Sequence, residues 1–367
     1  MRKSYLDWVR VLAVALVIFN HLPAHADGSA PGAGFGLTQI LSALARMNVP
    51  LLFMVSGALL LGREETVAAV LRKRFCRFAL TLAVFSVGLY LFRLLHDTVL
   101  HGDPFSPSLS AILYGLPSNT LSLADTSSYW YLYAYLGYLL TLPFLRPAAR
   151  VLDKSRFILL IVLHALFTGA LPLLNLLLSA CGAQQVSLSP YFTVPLAVTK
   201  ALFYALAGYW LDTRVRVEDL SRKTLALLAL TALAAAFAIR LLLDPLGEAA
   251  VPIADWLIAL PVFLLIRRLV TVTFPGLGRG KTAARVASLS ALTFGIYLLD
   301  PYLRLALFGI YYQTLSPVMS SLPLSLGWVA VSMAVGGAVT WVLQRIPGVR
   351  FLLGGKKTAP KPELQGG

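Results

Sequence analysis

The sequence predicts an all-α fold: a polytopic integral membrane protein, a bundle of about ten transmembrane helices with the N- and C-termini cytoplasmic. Three observations predict it: an apolar composition, a series of ten long apolar runs, and basic residues that fall in every second connection between them. Of 367 residues, 58% are hydrophobic and 13% are charged. A typical soluble domain is about 45–50% apolar and about 25% charged. A soluble fold of this length cannot hide the surplus, so lipid must serve as the solvent.

A bilayer core is crossed by about 20 mostly apolar residues in a helix. In chain order, the first such runs are Tyr5–Leu22, Leu37–Leu61, Phe78–Leu100, Tyr129–Leu145 and Phe157–Leu178. Tyr191–Leu211, Leu225–Leu243, Ile253–Val272, Leu289–Tyr311 and Leu324–Leu343 follow. The longest connection, His101–Ser128, is rich in Pro, Ser and Asp and is suited to an outer cap. The spans make one domain, residues 1–345, with no soluble domain left over. Residues 346–367 form a polar, basic tail expected to be disordered. No internal repeat of the transporter kind is visible.

Orientation follows from the basic residues, which collect in cytoplasmic loops. Arg63–Arg77, Arg146–Arg156, Arg214–Lys223, Arg267–Arg285 and the tail from Arg345 hold most of them. The alternate connections hold no Lys or Arg. The net charge of +15, from 31 Lys+Arg against 16 Asp+Glu, is therefore topological. It forms no basic stripe, so nucleic acid is not expected as a partner. Met1-Arg2-Lys3, an apolar run and Ala24-His25-Ala26 together resemble a secretory leader. Asp7 and Arg10 inside the run, and the further spans after it, argue against cleavage. Cys76 and Cys181 fall on opposite faces, which excludes a disulfide between them, and no metal site is expected.

Ionisable groups inside a membrane cost several kcal/mol, roughly, so each is a functional candidate. The first span holds three. Asp7 and Arg10 are three residues apart and meet on one helix face. Arg10 and His21 share a face about 16 Å apart along the axis. Histidine takes and returns a proton near neutral pH, and an arginine at the cytoplasmic end can hold an anion. The alternative is a solvated interfacial histidine with Arg10 reaching for the headgroups.

Arg74 and Arg77 lie three apart at a helix start, a spacing that suits phosphate or pyrophosphate, whereas Arg72 and Lys73 read as ordinary loop charge. Asp300 in the ninth span is spaced for an ion pair with Arg304. It is equally able to point inward and orient a partner such as His21. Arg93 and Arg240 lie near outer span ends, where reaching for the interface is expected. Arg46 and Lys200 lie nearer mid-span and are candidates for an acceptor path.

These residues match a family. Tyr5-Leu6-Asp7-Trp8-Val9-Arg10 through His21 resembles the first helix of the membrane-bound acyltransferase-3 family, the O-acyltransferases that modify cell-envelope glycans. The run Asn48-Val49-Pro50 through Ser56-Gly57 is similar to its second helix, and Arg74-Phe75-Cys76-Arg77 to its R-x-x-R motif. Trp130-Tyr131-Leu132-Tyr133 through Pro143-Phe144-Leu145-Arg146 resembles its fourth helix. Phe203-Tyr204 with Gly208-Tyr209, and Phe294-Gly295-Ile296-Tyr297-Leu298, resemble later elements. The resemblance runs from about residue 5 to about residue 345, carried by motif order rather than by any one motif. Two positions depart from it: Asp300 and Ser128-Tyr129 stand where the family often has histidine.

The resemblance implies a multi-pass protein of the cell (inner, cytoplasmic) membrane. It implies an acyl-CoA donor, most simply acetyl-CoA, on the cytoplasmic side, and an envelope glycan or lipid-linked sugar as acceptor outside. Arg74, Arg77 and Arg10 would hold the donor's phosphates. His21 would act as general base or transient acyl carrier, with Asp7 holding Arg10. Ser56, Trp130, Tyr131 and Asp300 would line the substrate path. The competing expectation is a transporter or polysaccharide exporter that uses the buried Arg, His and Asp as a proton or substrate site.

Overall fold

A computed structural model describes residues 3–23, 36–121 and 128–354. The Ala24-His25-Ala26 segment, and the tail beyond Gly354 with Lys356 and Lys357, lie outside them. Among the described residues the chain is helical and has no strand. The long helices are α1 (Ser4–Asn20), α2 (Leu37–Leu60) and α3 (Val67–His101), then the short outer helix α4 (Leu109–Ser118). They continue with α5 (Trp130–Arg150), α6 (Lys154–Ala180), α7 (Lys200–Arg214) and α8 (Arg222–Leu246). The chain ends with α9 (Val251–Arg268), α10 (Gly280–Leu315), α11 (Ser321–Leu343) and α12 (Pro347–Leu353).

Six of these helices, α2, α3, α6, α8, α10 and α11, are long and apolar enough to cross a membrane. The expected ten is not reached on that measure, and the four that miss it share a physical reason. α1 has 17 residues with Asp7 and Arg10, and α7 has only 15. α5 carries Pro143, Arg146, Pro147 and Arg150. α9 carries Asp255, Arg267 and Arg268. Of these, α1, α7 and α9 sit deep in the bundle, where protein rather than lipid satisfies their polar groups, whereas α5 keeps an exposed face with Leu140 and Phe144. On α1, Tyr5, Leu6, Val9, Ala13, Val14, Ile18 and Phe19 are all buried, and the helix packs on α2, α9, α10 and α11.

Three expectations are corrected. The span Tyr191–Leu211 does not exist as one helix. A single turn, Pro195–Val198, stops at an extended Thr199 before α7 starts, and Tyr191 is fully outside any helix. Within the segment read as a tail from residue 346, Pro347–Leu353 form α12, which docks on α3 through a hydrogen bond from Thr81 to the Leu352 carbonyl (3.2 Å). Arg240, expected to reach for the headgroups, is buried within α8.

The closest crossing in the bundle is α2 against α7. A Cβ on Gly208 would stand 2.2 Å from the Met54 carbonyl oxygen, and one on Gly57 would stand 1.9 Å from that of Ala205. Small residues permit such an approach in membranes. Gly208→Ala is expected to lower the melting temperature in detergent sharply, because backbone rather than a movable side chain must yield. An unchanged melting temperature would show that the helices are not this close.

Candidate active site

The C-terminal end of α1 delivers His21 to the C-terminal half of α10. His21 Nδ1 lies 2.7 Å from Asp300 Oδ2. Asp300 is wholly buried. The same oxygen lies 3.3 Å from Arg304 Nε, one turn along α10. Arg304 also donates to the His21 carbonyl (3.2 Å) and to Ser128 Oγ (2.8 Å). The two readings of Asp300 are therefore both realised in one carboxylate. A carboxylate beside Arg304 accepts, so Nδ1–H is the donor in this contact. Ser128, placed where histidine often stands in the family, serves here as a ligand of Arg304.

Arg10 sits lower on the same helix. Its Nη1 donates to Ser290 of α10 (3.1 Å) and lies 3.8 Å from Asp7. Beyond it, the N-terminal end of α1 is tied to neighbouring segments. Lys3 and Tyr5 bind Asp212, Ser4 donates to the Gly278 carbonyl (2.9 Å), and Trp8 to that of Leu277 (3.1 Å).

A continuous row of rings joins the two levels. The Arg77 guanidinium lies over Phe78 (4.8 Å), which packs on Tyr135 (4.8 Å) and Phe294 (5.2 Å). Tyr135 meets Tyr131 (5.8 Å), and Tyr131 meets Phe53 (5.1 Å) and Tyr297 (5.9 Å). Tyr297 then donates to the Ser128 carbonyl (2.7 Å), beside Arg304. Ser56 lies near Tyr131 and Tyr135 and donates to the Leu52 carbonyl (2.9 Å), and Arg10, Arg74 and Arg77 lie near Tyr135. Of the expected path residues, Ser56, Tyr131 and Asp300 belong to this row or its upper end. Trp130 is 41% exposed and shares none of the row's ring contacts. Tyr135, Tyr297, Ser290 and Arg304 complete the site and were not expected in it.

The two arginines of R-x-x-R differ. Arg74 donates twice to Glu65, from Nε (3.0 Å) and Nη2 (2.6 Å). Arg146 of α5 holds the same carboxylate from the other side (2.8 Å). The Arg74 hydrogen bond foremost, with that of Arg146, draws the Glu65 carboxyl down to about 2. Its contribution to stability is thus present above the ordinary value of 4.5 and is lost only as pH falls toward about 2. Among the described residues Arg77 makes no ion pair, and its buried Nε has no hydrogen-bond partner. Glu65→Ala strips the carboxylate from a 5%-exposed Arg146. It is expected to destabilise the protein by about 1–3 kcal/mol, seen as a lower melting temperature at pH 7.

A second polar cluster lies apart from this path. Lys200 pairs with the buried Asp255 (3.3 Å), which accepts from Tyr204 (2.6 Å). His164 stacks on Phe203 and bonds the Ala197 carbonyl (2.6 Å). Lys200 thus joins α7 to α9 rather than the path from Arg77 to His21. Arg46 lies in the turn that interrupts α2, and Arg93 pairs with Asp97 (3.7 Å).

The described residues form a multi-helix membrane scaffold that holds a half-buried histidine against a buried carboxylate. A family model described as an acyltransferase domain matches residues 3–343. The chain belongs to that acyltransferase-3 family and is a multi-pass membrane acyltransferase. No curated protein and no solved structure matches it.

Proposed function

We propose that this acyltransferase moves an acyl group, acetyl in the simplest case, from cytoplasmic acyl-CoA to a hydroxyl of an envelope glycan or lipid-linked sugar at the outer face of the cytoplasmic membrane. The observation that carries the reading is the 2.7 Å contact between His21 and the wholly buried Asp300. It fixes the tautomer that leaves Nε2 free as a base. The acceptor's hydroxyl proton passes to Nε2 as its oxygen bonds to the thioester carbonyl carbon. The carbon–sulfur bond breaks, and the imidazolium returns the proton to sulfur, giving the free thiol of CoA. Asp300 stabilises the imidazolium that forms, and Arg304 holds that carboxylate in place. Arg77, with Arg74 and Arg10, supplies positive charge at the donor end, and the rings between them enclose the pantetheine arm.

The test is transfer of label from acetyl-labelled acetyl-CoA into the envelope fraction of membranes containing the protein, with the membrane gradient intact or collapsed by an uncoupler. Donor-dependent labelling that survives the uncoupler is the expected result. No labelling from any acyl donor, together with a solute flux that the uncoupler abolishes, would overturn the proposal in favour of transport.

A further inference from the structure

The cytoplasmic end of the bundle contains a cavity of about 500 Å³, lined in part by Arg63, Glu64, Glu65, Pro143, Arg146 and Arg150. Small-molecule sites span about 300–1,000 Å³. Its back is rigid. Arg146 is 5% exposed and donates to the carbonyls of Leu60 (3.2 Å) and Glu65 (3.0 Å) as well as to the Glu65 carboxylate. Its rim is loose. The Arg150 side chain is 51% exposed and pairs only with Glu64, itself 84% exposed, and such a pair is worth little. Arg63 is exposed and has no ion pair among the described residues.

Glu65 stands between this cavity and Arg74, and its charge is spent on Arg74 and Arg146. An anion entering the cavity therefore meets Arg63 and Arg150 rather than the R-x-x-R motif. Two exposed guanidiniums suit a phosphomonoester, which carries about −1.5 to −2 charges at neutral pH. Val67, Pro143 and Pro147 add apolar surface beside them. Resting on the donor proposed above, we propose that this cavity holds the 3′-phosphate end of the CoA moiety. Arg63 and Arg150 are its phosphate partners, and the donor's pyrophosphate and pantetheine run on past Arg77. A lipid headgroup presents similar phosphate chemistry, so the experiment must separate the two.

The full-length protein in detergent is titrated with acetyl-CoA and with 3′-dephospho-acetyl-CoA, and binding is measured directly, without turnover. The wild type is expected to prefer acetyl-CoA by about ten-fold or more. Arg63→Ala/Arg150→Ala is expected to abolish that preference while leaving the affinity for the dephospho compound unchanged. Equal binding of the two donors by the wild type, or a preference that survives in the double variant, overturns the cavity assignment but not the acyltransferase reading. Equal donor binding with acetyl-CoA affinity lowered by added phosphatidylglycerol assigns the cavity to lipid. A wild type that binds neither donor overturns the acyl-CoA reading itself, and the cavity assignment with it.

Discussion

Replacing His21 with alanine is expected to reduce acyl transfer by about 10³-fold, some 4 kcal/mol of barrier. On the proposed mechanism the imidazole is the group that takes the acceptor proton. Asp300 is wholly buried behind it and already engaged with Arg304, so no neighbour substitutes. The fold should survive the change, because His21 is the residue after α1 ends and its side chain retains some exposure. The check is label transfer alongside an unchanged size-exclusion profile and melting temperature. Equal transfer by variant and wild type would remove His21 from the chemistry.

Asp300→Asn is expected to cost about 10²-fold or more in kcat, with little change in the KM for the acyl donor. The amide is neutral and can offer either an acceptor or a donor to Nδ1. It no longer fixes the productive tautomer, nor does it stabilise the imidazolium that forms in the reaction. The same change takes the carboxylate from Arg304, whose side chain is only 11% exposed, and that endangers the fold. The double variant Asp300→Asn/Arg304→Gln removes both charges together. It is expected to recover stability and not activity. Recovery of activity in the double variant would mean that Asp300 serves the fold alone.

Much of this was legible in the chain. Intramembrane cost singled out Asp7, Arg10, His21 and Asp300, and the structure gathers all four on α1 and its neighbour α10. The same argument applies to His164 and Asp255, which also lie inside apolar runs and were passed over. The aromatic row was not legible. Tyrosines in a membrane span are ordinarily belt anchors, and only the packing of α2, α3, α5 and α10 shows that Tyr131, Tyr135 and Tyr297 form one wall. Nor was the engagement of Arg74 by Glu65, nine residues upstream, because the intervening turn decides which charges meet. Hydropathy was least informative for α1, α7 and α9, since helices shielded by other helices are released from the composition that lipid imposes.

The pairing of α1 with α10 bears on how the protein is made. His21 meets Asp300 across 279 positions of sequence, and Arg10 meets Ser290 across 280. At about 5–20 residues per second, the ribosome needs roughly 14–56 s to supply the partner after the first helix has emerged. Throughout that interval α1 carries Asp7, Arg10 and His21 into the bilayer without the serine and carboxylate that receive them. Assembly must therefore hold a poorly apolar first helix at the insertion machinery, or shelter it against α2, until nearly the whole chain has been translated. Catalytic competence is acquired late in synthesis, and a chain released early inserts with no acyl-transfer centre to misfire.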